Sequence, residues 1–340
     1  MPRPSYLPDN FTLGLALTVV LASLFPCSGD LAQAFDAVTK VAIGTLFFLH
    51  GAKLSREAIK AGATHWRLHA CVLTITFVLF PLLGLAMQPL ARLVATPDLY
   101  LGILFLCALP STVQSSIALT AMARGNVPAA ICSASASTMI GIFLTPALAG
   151  MLMATHASAG GSLSSVTSVV MQLLVPFVAG QIARRWIGRW VDRHKAALKF
   201  VDQGSILLVV YTAFSASVNQ GLWERLPLPA LAGLVVMIGI LLAAVLMVSR
   251  LAARRLGFST EDEVTVAFCG SQKSLASGVP IAKVLFTSDM IGAMVLPLML
   301  YHQMQLMVCA VLAQRYARRG PSELDRRTQA ATGEQTREYR

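Results

Sequence analysis

The sequence is poor in charge. Asp, Glu, Lys and Arg together make up 13% of its 340 residues, where a soluble globular domain carries about 25%. The few charges are also bunched. Residues 10–29, 68–91, 99–123, 125–183, 203–223, 226–249 and 290–314 contain none. Stretches of this length cover the roughly 30 Å of hydrocarbon in a bilayer as helices, and they lack the polar face that a helix of a soluble protein shows. A soluble globular protein is thereby excluded. Cysteine is sparse and scattered: Cys27, Cys71, Cys107, Cys132, Cys269 and Cys309 stand singly within or beside apolar stretches, with no C-x-x-C. No disulfide or zinc framework is implied, and the cysteines read as small apolar packing residues. There is no P-loop, no zinc motif and no lipase-type serine elbow, so an ATP-driven pump and a membrane hydrolase have no support. The chain does not read as an enzyme, and no organic cofactor is called for.

What is present is a succession of apolar helices. Ten spans are expected, at about 11–27, 36–52, 68–88, 99–123, 128–153, 166–185, 203–221, 229–249, 263–285 and 290–314. The first is read as a span and not as a cleaved signal peptide, because the preceding residues hold a single Arg3 and an acid, Asp9. The excess of basic residues, a net charge of +11, points to membrane topology and not to nucleic acid. With the N-terminus inside, 22 of the 27 Lys and Arg residues fall on the inner side and three, Arg92, Arg225 and Lys283, on the outer side. Lys40 and Lys273 lie within spans. This is a strong positive-inside pattern. It predicts a multi-pass inner (plasma) membrane protein with both termini cytoplasmic and a loose polar tail over 320–340.

The two halves resemble each other. Gln114-Ser115-Ser116-Ile117-Ala118 matches Gln272-Lys273-Ser274-Leu275-Ala276 at an offset of 158. The same offset carries the uncharged stretch 68–91 onto 226–249 and 128–153 onto 286–311. Repeat one is placed at about 10–153 and repeat two at about 166–314, within one transmembrane domain over 1–319. Five spans per repeat is odd, so the second copy sits inverted in the bilayer. That arrangement is a transporter architecture with the site near the midplane where the repeats meet.

Spans four and nine carry the candidate chemistry. Span four contains Pro110-Ser111-Thr112-Val113-Gln114-Ser115-Ser116, in which proline removes a backbone donor. Span nine contains Gly270-Ser271-Gln272-Lys273-Ser274 and then Gly278-Val279-Pro280. Helix breaks are expected at Pro110, Gly270, Gly278 and Pro280. Breaks at membrane depth are tolerated where they line protein or a water-filled cavity, and matched breaks in both halves point to a transport site. Lys273 is the sharpest residue. It lies near mid-span, with no Asp or Glu deep in any span to partner it. It either binds an anionic substrate, or sheds its proton on burial, or places its ammonium where a cation would otherwise sit. Span ten adds His302 and Gln303, with Tyr301 and Gln305 beside them; His302 is able to shuttle protons or to bond between helices. Ser133 and Ser135, with Ser137 and Thr138, stud span five as binding groups or as small packing residues. His50, at the inner end of span two, reads as structural. No metal site is assigned.

These residues resemble a known family. Ten spans, two inverted five-helix repeats and polar breaks in spans four and nine are similar to the bile acid:sodium symporter family. The segments Phe268–Pro280, Pro297-Leu298-Met299-Leu300-Tyr301-His302-Gln303 and Leu49-His50-Gly51-Ala52-Lys53-Leu54-Ser55 are similar to its SBF-like, YfeH-type bacterial branch. The resemblance implies a panel of spans one, two, six and seven, and a core of spans three to five and eight to ten, moving against each other for alternating access. Sodium-coupled members bind two ions through a Ser-Asn pair in span four, hydroxyls in span five, a Gln in span three, and a Glu with a Gln in span nine. Here the pair falls at Ser115-Ser116, the Glu at Phe268 and the span-three Gln near Val78, while Gln272 is kept and Lys273 replaces an Asn. The only carboxylate is thus missing, and hard cations want oxygen ligands with compensating charge. The expectation is a secondary transporter of a small organic anion, bile-acid-, steroid- or carboxylate-like, with Lys273 standing in for the ion and the coupling ion, sodium or a proton, left open. Two other classes remain: a non-transporting regulatory or interaction protein of the same fold, and a metalloid or ion exporter using Cys107.

Overall fold

A computed structural model describes residues 10–53, 65–154, 170–225 and 227–318. The first residues of the chain, the Ala154–Ser165 linker beyond its first residue, and the tail over 320–340 lie outside them. Among the described residues the secondary structure is entirely helical. The helices are α1 Asn10–Leu24, α2 Gly29–Lys53, α3 Trp66–Ala86, α4 Gln88–Val94, α5 Pro97–Ala108, α6 Val113–Met122 and α7 Val127–Ala154, then α8 Val175–Arg193, α9 Lys195–Val218, α10 Leu222–Arg225, α11 Leu228–Arg255, α12 Thr260–Ser271, α13 Leu275–Leu285 and α14 Ser288–Ala317.

Six of these are long and apolar enough to cross a membrane: α2, α3, α7, α9, α11 and α14. The pair α5 and α6, bent by 67° at a short break, makes a seventh. The shortfall from ten has local causes. The described apolar part of α1 is short, the second half of α8 carries Arg184, Arg185, Arg189 and Arg193, and α12–α13 carries an acidic first turn and is interrupted at Gln272–Ser274.

The helices pack in two groups. In one, α2 lies along α8 and α1 along α9. Gly51 of α2 and Gly180 of α8 sit where a Cβ would strike the facing backbone carbonyl, of Phe177 and of Phe48 respectively, the small-residue contact that lets membrane helices approach closely. In the other, α3, α5–α7 and α11–α14 surround a core that includes Phe80, Phe105, Phe268 and Tyr301. Helix α9 bridges the two groups by packing on α13 and α14, where Gly292 N–H donates to Ser217 Oγ at 2.9 Å.

Candidate functional site

The site is built from three interruptions of helical hydrogen bonding that face one another. The first is in α5–α6. Proline disfavours a helical conformation in the residue before it, and Leu109 is extended with φ −75° and ψ 153°. Helix α5 therefore stops at Ala108 and α6 restarts at Val113. The second is at Gln272–Ser274, between α12 and α13. Ser274 caps α13 by accepting the Ser277 N–H at 3.1 Å. The third is a π-helical turn at Ile75–Leu79 inside α3. There the Phe80 N–H reaches back to Ile75 O, and Pro81, next in sequence, has no N–H to offer. Thr76 O thereby loses its helical donor.

A helix broken inside a membrane leaves carbonyls that must find donors, and here several find them outside their own helix. Leu106 O takes Leu109 N–H at 3.2 Å, Ala108 O takes Thr145 Oγ1 at 2.9 Å, and Pro110 O takes Ser274 N–H at 3.0 Å. Cys107 O would ordinarily receive Ser111 N–H, but that group donates to Ser137 Oγ at 2.9 Å. Three more freed carbonyls, Thr76 O, Cys107 O and Leu109 O, all receive the Lys273 ammonium, at 2.9, 3.0 and 2.6 Å. The ammonium has three N–H donors, so all are used. Its nitrogen also lies 3.9 Å from the centre of the Phe80 ring, a favourable cation–π position. Lys273 is fully buried, at 0% exposure. A neutral amine would turn a lone pair toward a carbonyl oxygen; the cage is shaped for a cation.

The lysine's backbone is held as firmly. Gln305 of α14 accepts Lys273 N–H at 2.8 Å and donates to Lys273 O at 3.0 Å. His302 Nδ1 lies 3.4 Å from Lys273 O and 2.9 Å from Gln305 Nε2. Tyr301 donates to Ser271 O at 2.8 Å.

The other predicted residues fall as follows. Ser115 Oγ donates to Gln272 Oε1 at 3.1 Å. Ser111 Oγ donates to Cys269 O at 2.6 Å and lies 3.4 Å from Ser116 Oγ, tying the two broken helices together. Gln114 is exposed and Ser135 half-buried on α7. Ser133 is buried and lies 2.6 Å from His69 Nδ1 on α3. Ser271 Oγ, Gln272 Nε2 and Gln303 Oε1 are buried without a hydrogen-bond partner, apart from the Cys309 thiol beside the first two. Buried polar atoms left open in this way suit an ion, a water or a ligand. Among the described residues no group of three or more His, Cys, Asp or Glu could hold a metal.

Three expected breaks are corrected. Gly270 lies inside α12, and Gly278 and Pro280 lie inside α13; of the four, only Pro110 stands in a break. The two glycines serve close packing: a Cβ on Gly270 would meet Ile75 at 3.0 Å, and one on Gly278 would meet Leu298 and Leu109 at 2.5 and 2.6 Å. The register of the internal match shifts as well. Thr112 and Ser274, which precede α6 and α13, are 162 apart and not 158, so Gln114–Ser116 starts a helix whereas Gln272–Ser274 forms the break itself.

A second feature lies at the far end of α13. A cavity of about 630 Å³ opens between α2, α9 and Lys283, lined also by Gln33, Asp36, Lys40, Thr212 and Asn219. Asp36 bridges Lys40 at 3.0 Å and Lys283 at 3.0 Å, so an ion pair joins the two helix groups across the cavity. The sequence placed Lys40 within a span and did not reveal this triad, although the Asp36–Lys40 spacing of four on a helix was a visible signal. Nor did it reveal Thr76 and Pro81; a proline in mid-span three was the signal there. His50 bonds its own helix, Nδ1 to Leu46 O at 2.8 Å.

Two broken helices meeting a third distorted one around a buried lysine is the construction of a membrane transporter, and comparison with known proteins agrees. The chain belongs to the SBF-like CPA transporter family, whose model matches residues 9–318. An uncharacterised protein of Pseudomonas aeruginosa is 64% identical over 319 residues, covering 94% of this chain and 96% of the relative. "Putative symporter YfeH" of Escherichia coli is 56% identical over 310 residues, covering 91% and 93%. Sodium/bile acid cotransporter 7 of Danio rerio is 29% identical over 309 residues, covering 89% and 91%.

Proposed function

We propose that the protein is a secondary transporter of a small organic anion that works by alternating access, with the Lys273 ammonium built in where a coupling cation would otherwise bind. The observation that carries this reading is the three-carbonyl cage at the meeting of the broken helices. Backbone carbonyls freed at helix breaks are how such transporters hold monovalent cations. Here a tethered cation takes the same oxygens, and the carboxylate that would balance a mobile ion is replaced by Phe268. Coupling is then to protons or absent, not to two sodium ions. On this reading the chain forms ten spans as two inverted five-helix repeats over 1–319. The helix group α1, α2, α8 and α9 is the panel and the remainder the core. Both termini face the cytoplasm of a cell whose inner membrane holds the protein.

Lys273 has no N–H left for a substrate, so the anion's contacts lie elsewhere. The cavity at Asp36, Lys40 and Lys283 is within the 300–1,000 Å³ range common for small-molecule sites, and its two lysines give it the required sign. Lys283 lies about 15 Å along α13 from Lys273, so motion of α13 links the two. The names of the relatives, a symporter and a sodium/bile acid cotransporter, support small-molecule transport; a bile acid or steroid specifically is one candidate among organic anions.

The test is thermal stabilisation of the purified protein by a panel of carboxylates, sulfonates and neutral analogues, followed by uptake of any hit into proteoliposomes. The expected result is stabilisation by an anion but not by its neutral analogue, lost in Lys283→Gln, with uptake of that anion. Uptake of a neutral or cationic solute that is unaffected by Lys283→Gln would overturn the anion assignment.

A further inference from the structure

At the end of the molecule opposite the 630 Å³ cavity, α11 and α14 finish side by side. A smaller groove of about 250 Å³ opens between them, lined by Arg250, Leu312, Arg315 and Tyr316. Helical spacing sorts its surroundings by depth. On α11, Met247 and Leu251 precede Arg254; on α14, Val308 and Val311 precede Arg315, each about one turn apart. All four apolar side chains are exposed, at 67%, 50%, 38% and 44%. In a bilayer they face acyl chains, and the arginines stand at headgroup level.

The charge is not cancelled locally. Among the described residues Glu263 is the one carboxylate in contact: Arg250 Nε lies 3.3 Å and Arg254 Nε 2.9 Å from its oxygens. Tyr316 reaches the same carboxylate at 3.5 Å and carries the Arg250 guanidinium over its ring at 5.2 Å. Arg250 is thereby held in place with part of its fork unspent, and Arg315 adds a further cation with no ion-pair partner among the described residues. Three arginines against one glutamate leave an excess of positive charge beside an exposed apolar strip. The carbonyl ends of the two helices soften that excess but do not reverse it.

We infer that this groove binds the headgroup of an anionic phospholipid, with the phosphate on Arg250 and Arg315 and the acyl chains along Met247, Leu251, Val308 and Val311. Basic pockets between membrane helices on the cytoplasmic side recognise such headgroups, and the positive-inside pattern puts this end there. Because Glu263 belongs to the first turn of α12, the lipid would steady the helix that leads into the Lys273 break. The inference does not depend on the identity of the transported solute.

The test is native mass spectrometry of the full-length protein in detergent, titrated with phosphatidylglycerol or phosphatidylcholine, with inorganic phosphate as a competitor. Arg315→Gln is compared with wild type and with Arg189→Gln, which removes an equal charge from an exposed position on α8. Both positions are exposed, and an unchanged unfolding midpoint without lipid confirms that the variants fold. The expected result is retention of phosphatidylglycerol that falls about fivefold in Arg315→Gln, one basic residue's share of the surface attraction. Arg189→Gln should behave like wild type, and inorganic phosphate should not compete. Equal binding of the two lipids, equal loss in both variants, or displacement by inorganic phosphate would each overturn the inference, the last by making free phosphate the ligand.

Discussion

Replacing Lys273 with methionine tests the cage by keeping most of the side-chain volume and removing all three donors. Thr76 O, Cys107 O and Leu109 O would then be buried with no partner. Each orphaned carbonyl costs about 1–3 kcal/mol, but the three share one ligand and do not add independently. The loss of a buried charged partner, about 3–5 kcal/mol in comparable settings, sets the scale. The contact with Phe80 contributes to the same loss. At roughly 2–4 °C per kcal/mol, the unfolding midpoint should fall by about 6–20 °C, read by intrinsic fluorescence in detergent. Lys273→Ala removes the same donors but leaves a carbonyl-lined hollow. Adding methylammonium should restore part of its stability and should do nothing for the methionine variant, whose side chain blocks the hollow. A methionine variant within about 1 kcal/mol of wild type would refute the reasoning, because the carbonyls would then have found other donors at little cost.

Other outcomes follow from single contacts. Gly278→Ala places a methyl at 2.5–2.6 Å from Leu298 and Leu109 and should cost about 1–3 kcal/mol through overpacking, seen as a lower unfolding midpoint. Ser111→Ala removes the 2.6 Å bond to Cys269 O, leaving a buried carbonyl short of a donor; a loss of about 1–3 kcal/mol is expected, measured in the same way. Asp36→Asn frees Lys40 and Lys283 and should tighten binding of a stabilising anion by about fivefold, the effect of one unit charge across a wet cavity, as read by titrating the midpoint.

The helical membrane class was legible because bilayer thickness imposes a length and a composition that uncharged runs reveal. The interruptions were legible in part. Pro110 acts through a local steric rule and falls in its break. Glycine carries two messages, freedom of the backbone and absence of a side chain, and the sequence does not say which applies; at Gly270 and Gly278 it is the second. The Gln272–Ser274 break is a tertiary result, since its peptide groups are satisfied by Gln305, Tyr301 and Pro110 from other elements. The same is true of Lys273. Its position near mid-span could be read from the sequence, but its partners are main-chain oxygens, which no residue type announces. Only the two prolines, Pro81 and Pro110, left a trace of the cage, by breaking the helical pairing beside its oxygens. The Asp36–Lys283 pair joins helices some 250 residues apart in sequence, and only packing brings them together.

The central claim is that a built-in ammonium occupies the place of a coupling cation. It is tested most directly by measuring thermal stability of wild type and Lys273→Ala side by side, with sodium exchanged for potassium at constant ionic strength. Indifference of the wild type to sodium, together with a sodium-dependent rise in the midpoint of the alanine variant, is the predicted result. Stabilisation of the wild type by sodium, persisting unchanged in the variant, would contradict the claim and place the coupling ion at a site apart from the cage.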